Sequence, residues 1–222
     1  MARLARVVIP GMPHHITQRG NRRRQTFFGD DDYAAYRQLM AQWCRQHGVE
    51  IWAYCLMPNH VHLIAVPQSE DGLCRAIGEA HRRYARRINS REGWRGRLWQ
   101  GRFASFVMEE PYLLAAARYV ELNPVRARLT RTARQWRWSS ARAHLSGRDD
   151  GLATVGPLLA MAGDWRGLLR SALSEEELGQ LRHHDRTGRP LGRDRFVGRL
   201  EKRLGRVLKP QKRGPKGKRR RN

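Results

Sequence analysis

Residues 49–66 read VEIWAYCLMPNHVHLIAV and are the most informative part of the sequence for the architecture. Residues 49–56 form an apolar run of strand length. The next three residues, Met57, Pro58 and Asn59, favour a tight turn. Residues 60–66 form a second apolar run of strand length. The stretch therefore predicts a β-hairpin whose second strand begins at a histidine.

Strand and helix patterns alternate on both sides of this hairpin. The predicted order is a strand at 14–18, a helix from the acidic residues 30–32 to just before Gly48, the hairpin, a helix at about 71–88, a strand at 102–108 and a helix from Pro111 to Asn123. This is the order of the ferredoxin-like, split βαβ arrangement. We therefore predict an α+β domain with an antiparallel sheet, helices on one face and the other face open.

The remaining chain predicts two further parts. We expect residues 1–145 to form the catalytic domain and residues 146–187 to form a linker with short helices. From Gly188 onward, apolar residues at helical spacing precede a run of Lys and Arg. Residues 188–222 therefore predict a basic, partly disordered tail that binds DNA.

Positive charge is the dominant feature of the composition. Among 222 residues the chain has 44 Lys and Arg, all but five of them Arg, against 20 Asp and Glu, for a net charge of +24. Arg pairs bidentately with phosphate and stacks on bases. The charge therefore predicts a polyanionic partner, most simply a nucleic acid.

Other features narrow the class of protein. The three cysteines have no spacing typical of a zinc ribbon or a disulfide framework. No apolar run reaches the roughly 20 residues that span a bilayer, and the first ten residues do not resemble a signal peptide. We therefore expect a cytoplasmic protein without a membrane partner.

The triplet His60-Val61-His62 lies on the second strand of the hairpin. Side chains alternate along a strand, so the two histidines should project from one face and could share a metal ion. Two ordinary surface histidines on an antiparallel sheet are the alternative interpretation.

A second candidate pair lies near the end of the last predicted helix. Tyr119 and Asn123 are four residues apart, so they share one face. The Asn123 side-chain oxygen could complete a set of two nitrogens and one oxygen, which suits Mn²⁺, Fe²⁺ or Zn²⁺, whereas Mg²⁺ prefers more oxygen. Asn before Pro is also a common helix terminator, which is the alternative role of Asn123.

Four separated motifs resemble those of the single-tyrosine, His-hydrophobe-His transposases, and among these the REP-associated tyrosine transposases. The motifs are HITQRGNR at 15–22, MPNHVHLI at 57–64, LWQGRF at 98–103 and YVELNPVRA at 119–127. The resemblance implies a ferredoxin-like fold, Tyr119 as the nucleophile and His60 and His62 as ligands of Mg²⁺ or Mn²⁺. Asn123 stands where the family has its third ligand.

The resemblance also implies a reaction and a substrate. The expected reaction is cleavage and rejoining of single-stranded DNA at hairpin, REP-like sites through a 5′-phosphotyrosine intermediate. Two alternatives stay open, a non-catalytic protein that binds structured DNA and a metal-dependent nuclease that uses water. Either a monomer or a homodimer is compatible with the family.

Several basic residues are candidate DNA contacts. The predicted contacts are Arg19, Arg22, Arg23, Arg24, Arg102, Lys212 and Arg213. Trp99 or Phe103 could stack on an unpaired base.

Overall fold

The computed structural model describes residues 5–210 of the chain. Its four strands are β1 (His14–Arg19), β2 (Val49–Met57), β3 (His60–Pro67) and β4 (Ala104–Val107). The helices are α1 (Asp30–Gln46), α2 (Gly72–Glu92), α3 (Leu113–Glu121), α4 (Asn123–Arg126), α5 (Ala141–Ser146), α6 (Gly156–Ala162), α7 (Trp165–Arg170), α8 (Glu175–Thr187) and α9 (Asp194–Leu204). In this described part, none of the helices combines the length and apolar character that a membrane span needs.

The four strands form one antiparallel sheet in the order β2-β3-β1-β4. This order follows from the βαββαβ connectivity of a ferredoxin-like fold, because each helix returns the chain across a neighbouring strand. The hairpin closes with Met57 paired opposite His60, as the turn at Pro58 and Asn59 predicts. The predicted fold class is confirmed.

Helices α1 and α2 cover one face of the sheet. Ile16, Val61 and Leu63 point to this side and are fully buried against it. Tyr36 of α1 and Tyr84 of α2 lie in the same cluster with ring centroids 5.2 Å apart. Alternation along β1 and β3 therefore supplies this apolar layer.

The opposite face is not open as expected. Ala53, Cys55 and Ile64 pack in a second cluster with apolar residues of α3, including Ala116 and Val120. Helices α6, α7 and α8 contribute further residues to this cluster. The physical reason is that α3 is apolar on the side that meets the sheet, so both faces of the sheet bury apolar surface.

The C-terminal part folds onto the same body as far as the structure describes it. Residues 146–187 contain α6, α7 and α8, which pack beside α3. The helix α9 packs Phe196 and Leu200 against Val7, Ile9 and Val107 at the β4 edge. The apolar spacing seen in the sequence from 196 onward is thus the buried side of α9. Residues 211–222, with the predicted contacts Lys212 and Arg213, lie outside the described part.

Candidate active site

The two histidines of β3 lie on the sheet face that carries α3. Their ring centroids are 5.0 Å apart. In the neighbouring strand β1, Thr17 pairs with His62 and Arg19 pairs with His60. Alternation along the strand therefore places His60 and His62 side by side, as the sequence predicts.

Tyr119 approaches the same place from helix α3. Its ring centroid lies 5.6 Å from that of His62 and 6.1 Å from that of His15, which precedes Ile16 on β1. The tyrosine is half-buried, so part of its ring stays open to a substrate. The structure thus brings His60, His62 and Tyr119 together, while their chemical roles stay predictions.

Burial keeps the histidines of the site neutral. Burial and, to a smaller extent, the positive charges of Arg19 and Arg126 together lower the pKa of His60 to about 3. Burial likewise lowers the pKa of His62 well below its ordinary value, with His15 as the next contributor. A neutral imidazole has a nitrogen lone pair, which is the form that binds a metal ion.

Hydrogen bonds occupy the same ring atom of both histidines. The Nδ1 atom of His60 lies 2.6 Å from Oδ1 of Asn59, and Nδ1 of His62 lies 3.1 Å from Nε2 of His15. If Nδ1 carries the proton in both rings, Nε2 of both is free to bind. Metal-binding histidines are commonly held by such a bond through their second nitrogen.

Asn123 begins helix α4, directly after the helix that carries Tyr119. Its side chain is buried, and its Nδ2 atom has no hydrogen-bond partner among the described residues. Within residues 5–210, no group of three or more His, Cys, Asp and Glu is arranged to hold a metal ion. The amide oxygen of Asn123 is the third donor that the sequence offers in addition to the two imidazoles. These donors fit a divalent cation, and the role of Asn123 as a ligand stays a prediction.

Arg126 is a functional candidate that the sequence analysis did not single out. Its Cζ atom lies 4.0 Å from the centroid of the Tyr119 ring. Its Nη1 atom donates a hydrogen bond of 2.8 Å to the backbone oxygen of Tyr119. Burial lowers its pKa. The sequence signal for this contact is the spacing: Arg126 follows Tyr119 by seven residues, about two helical turns, which favours the same side of a helix.

Asp185 of α8 is a second such candidate. The hydroxyl of Thr17 donates a hydrogen bond of 2.6 Å to Oδ1 of Asp185. Burial lowers the pKa of His15 to about 4, and the carboxylate of Asp185 opposes this shift. No local sequence signal connects Asp185 to residues of β1, because 168 positions separate it from Thr17.

The predicted DNA contacts fall in three places. Arg19 is exposed at the end of β1 beside His60, and Arg22, Arg23 and Arg24 are exposed in the turn that follows. Arg102 is exposed and lines a separate cavity on the α2 side.

The two aromatic residues proposed for base stacking do not form an exposed platform. Trp99 and Phe103 are 7% and 6% exposed and belong to the cluster beneath α1 and α2. The indole Nε1 of Trp99 donates to the backbone oxygen of His81. The hypothesis that either ring stacks on a base is therefore not supported, because both rings are packed in the core.

Comparison with known proteins adds a family and a fold. The family model described as "Transposase IS200 like" matches residues 9–123, a little over half of the chain. A Haemophilus influenzae protein whose name assigns it to the REP-associated tyrosine transposases is 25% identical over 116 residues. That match covers 47% of this chain and 66% of the relative, just under two thirds of its length.

A solved structure has the same fold. It is a REP-associated tyrosine transposase bound to a REP hairpin, with a TM-score of 0.57 and 22% identity. The match covers 69% of this chain and 92% of that one. The resemblance drawn from the sequence motifs is confirmed by these findings.

Proposed function

This chain belongs to the IS200-like transposase family, and on that premise we propose that it cleaves and rejoins single-stranded DNA beside a hairpin, with Tyr119 as its nucleophile. One observation carries the proposal. The Tyr119 ring, on a helix, lies 5.6 Å from His62, on a strand, so two rigid elements hold the nucleophile beside neutral imidazoles.

The proposed step is a transesterification. The hydroxyl oxygen of Tyr119 forms a bond to phosphorus, and the bond from phosphorus to the 3′ oxygen breaks. The phenolic proton leaves to solvent, and the 3′ oxygen gains a proton. The products are a 5′-phosphotyrosine and a free 3′-OH, so a second 3′-OH can reverse the step without ATP.

The surrounding residues have distinct roles in this proposal. Arg126, stacked on the Tyr119 ring, supplies positive charge where the tyrosine oxygen reacts. Arg19, which pairs with His60 across the strands, would contact the phosphate. His60, His62 and Asn123 would hold Mg²⁺ or Mn²⁺, which polarises a phosphate and offsets developing charge when bound.

A DNA hairpin is the proposed substrate. The relative in the solved complex is bound to a REP hairpin, and we extend that class of ligand to this chain. A cavity of about 920 Å³ supports a polyanionic partner, because it is rich in Arg and its lining includes Leu122, three residues after Tyr119 in the chain. Its arginines are Arg131, Arg134, Arg142, Arg166 and Arg170.

The test is a denaturing gel of labelled single-stranded DNA that carries hairpins from beside this gene, incubated with the protein and Mg²⁺ or Mn²⁺. We expect a slow, protease-sensitive band that disappears with EDTA and with Tyr119→Phe. Cleavage without that band, unchanged by Tyr119→Phe, would show a nuclease that uses water. Tight binding without any cleavage would favour a non-catalytic binding protein.

A further inference from the structure

Two loops enclose a groove beside the Tyr119 site. The turn at residues 21–25 and the loop at residues 93–98, which follows α2, enclose about 530 Å³. Four arginines line it, namely Arg22, Arg24, Arg95 and Arg97, together with Trp94. None of the residues that the structure places along its walls is acidic. We call this feature the arginine–tryptophan groove.

We propose that the arginine–tryptophan groove holds an unpaired stretch of DNA, with one base stacked on Trp94 and its phosphates paired with the arginines. This inference rests on the proposed function, because it supplies the path of the single strand that Tyr119 cuts. It adds a binding site that lies outside the residues of the reaction.

The exposure of Trp94 is the first observation behind the proposal. This side chain is 47% exposed, and Phe28 next to it is 41% exposed. Their ring centroids lie 5.7 Å apart with the rings nearly perpendicular. Large aromatic side chains normally bury most of their surface in a folded protein. An exposed aromatic pair among arginines is typical of surfaces that stack single-stranded bases.

The backbone of the arginine turn is the second observation. Arg22 and Arg23 have φ values of 53° and 60°, a left-handed conformation that side chains other than glycine rarely adopt. Such a conformation persists only where the surroundings hold it, and it concentrates at ligand sites.

Three backbone hydrogen bonds fix this turn. The backbone nitrogens of Arg23 and Arg24 donate to the oxygens of Gly20 and Asn21, and the nitrogen of Asn21 donates to Leu98 in the opposite loop. At Gly20 a Cβ atom would clash with the Arg24 carbonyl oxygen, so only glycine allows the turn to close. The arginines are therefore presented on a preformed surface rather than on a free loop.

One side chain joins the groove to the Tyr119 site. The Nδ2 atom of Asn59 donates a hydrogen bond of 3.0 Å to the backbone oxygen of Arg23. The Oδ1 atom of the same side chain lies 2.6 Å from Nδ1 of His60. The carboxamide of Asn59 therefore contacts both the turn that forms one wall of the groove and His60.

Size and chemistry select single-stranded DNA over duplex DNA. The volume of about 530 Å³ lies in the range of pockets that hold small ligands. Stacking on Trp94 requires a base face that pairing and stacking inside a duplex would cover. Phosphate pairing and stacking read no base edges, so the groove should tolerate many sequences.

The test is a binding measurement in EDTA, where cleavage is not required. Fluorescence anisotropy of the full chain is measured with a labelled hairpin that has a single-stranded extension and with the same hairpin lacking it. We expect Trp94→Ala to weaken binding of the extended hairpin about tenfold and to leave the blunt hairpin unchanged. Trp94→Phe should restore part of the loss, and Met161→Ala, a change at another exposed apolar side chain, should have no effect.

Two further measurements sharpen the result. An extension with an abasic site should bind the wild type as weakly as Trp94→Ala binds the intact extension. The double variant Arg95→Gln, Arg97→Gln should make binding of the extended hairpin less dependent on salt.

Equal loss for the extended and blunt hairpins, or no loss for either, would overturn the groove as a single-strand site. Because these measurements need no reaction, they can succeed when the covalent band is absent and fail when it is present.

Discussion

The two faces of β1 and β3 carry different chemistry. Toward α1 and α2, these strands present Ile16, Val61 and Leu63, all fully buried. Toward α3, the same strands present His15 and His62, which are also buried, and Tyr119 packs beside them. His62 and Leu63 are consecutive in the chain, yet their environments have little in common.

The difference shows how the fold accommodates a polar site. Burial of neutral histidines is costly, and Nδ1 of His15 and Nδ2 of Asn123 are buried without partners in the described structure. The apolar face offsets this cost through close packing of residues such as Tyr36 and Tyr84. We therefore expect that changes on the α3 face affect the reaction and that changes on the other face affect stability.

The largest effect is expected for His62→Ala. It removes an imidazole from the face that holds Tyr119, so cleavage should slow by on the order of 10²–10³-fold. The measurement is the single-turnover rate, with thermal unfolding as a check of the fold. His47→Ala is the matched control, since His47 follows α1 and stacks on Trp43 instead. If His62→Ala cleaved DNA at the wild-type rate, the expectation that the α3 face carries the reaction would be wrong.

Leu63→Ala, at the next residue, should lower stability and leave the cleavage rate unchanged. Removing a fully buried leucine leaves a cavity, and we expect the free energy of unfolding to fall by about 2–5 kcal/mol. The cleavage rate per folded molecule should stay at the wild-type value. Urea unfolding and the single-turnover rate measure the two quantities. A loss of rate as large as that of His62→Ala would contradict the account.

Acid should destabilise the fold through its buried histidines. His81 on α2 bonds to the hydroxyl of Tyr36, and burial lowers its pKa to about 3. Burial lowers the pKa of His14 to about 4. The unfolded chain binds these protons below about pH 6.5 and the folded chain does not, so stability is full above that pH.

As the pH falls below 6.5, each such histidine should lower the free energy of unfolding by up to about 1.4 kcal/mol per pH unit. Urea unfolding at several pH values between 7.5 and 5.5 measures this slope. His81→Gln should reduce the slope of unfolding free energy against pH by the contribution of one histidine. A slope that does not change would mean that His81 takes up its proton in the folded state.

The smallest effect is expected for Arg126. Arg126→Met removes the guanidinium that lies over the Tyr119 ring, and single-turnover cleavage should slow about tenfold. Arg126→Lys keeps the charge without the planar group, so its cleavage rate should lie between those of the wild type and Arg126→Met. Binding of the hairpin should change much less than the rate. Equal rates for all three proteins would remove Arg126 from the reaction.

The sequence predicted the frame of the site better than its surroundings. Strand alternation placed His60 and His62 on one face, because alternation depends on local geometry alone. The shared face of Tyr119 and Asn123 stays a prediction, since α3 ends at Glu121 and Asn123 begins the next helix. The partners His15, Arg126 and Asp185 depend on strand register and on helix packing, which a local pattern does not contain. Trp99 and Phe103 were proposed to stack on an unpaired base, but both side chains are buried in the core.

The most direct test of the account is to find the atom that carries the DNA. After reaction, the protein is digested with nuclease and trypsin, and the peptides are analysed by mass spectrometry. Cleavage after Arg118 and Arg126 puts Tyr119 on one peptide and Tyr112 on another. We expect a nucleotide joined through its 5′-phosphate to the peptide that contains Tyr119. A modified Tyr112 peptide, or cut DNA with no modified peptide, would contradict this expectation.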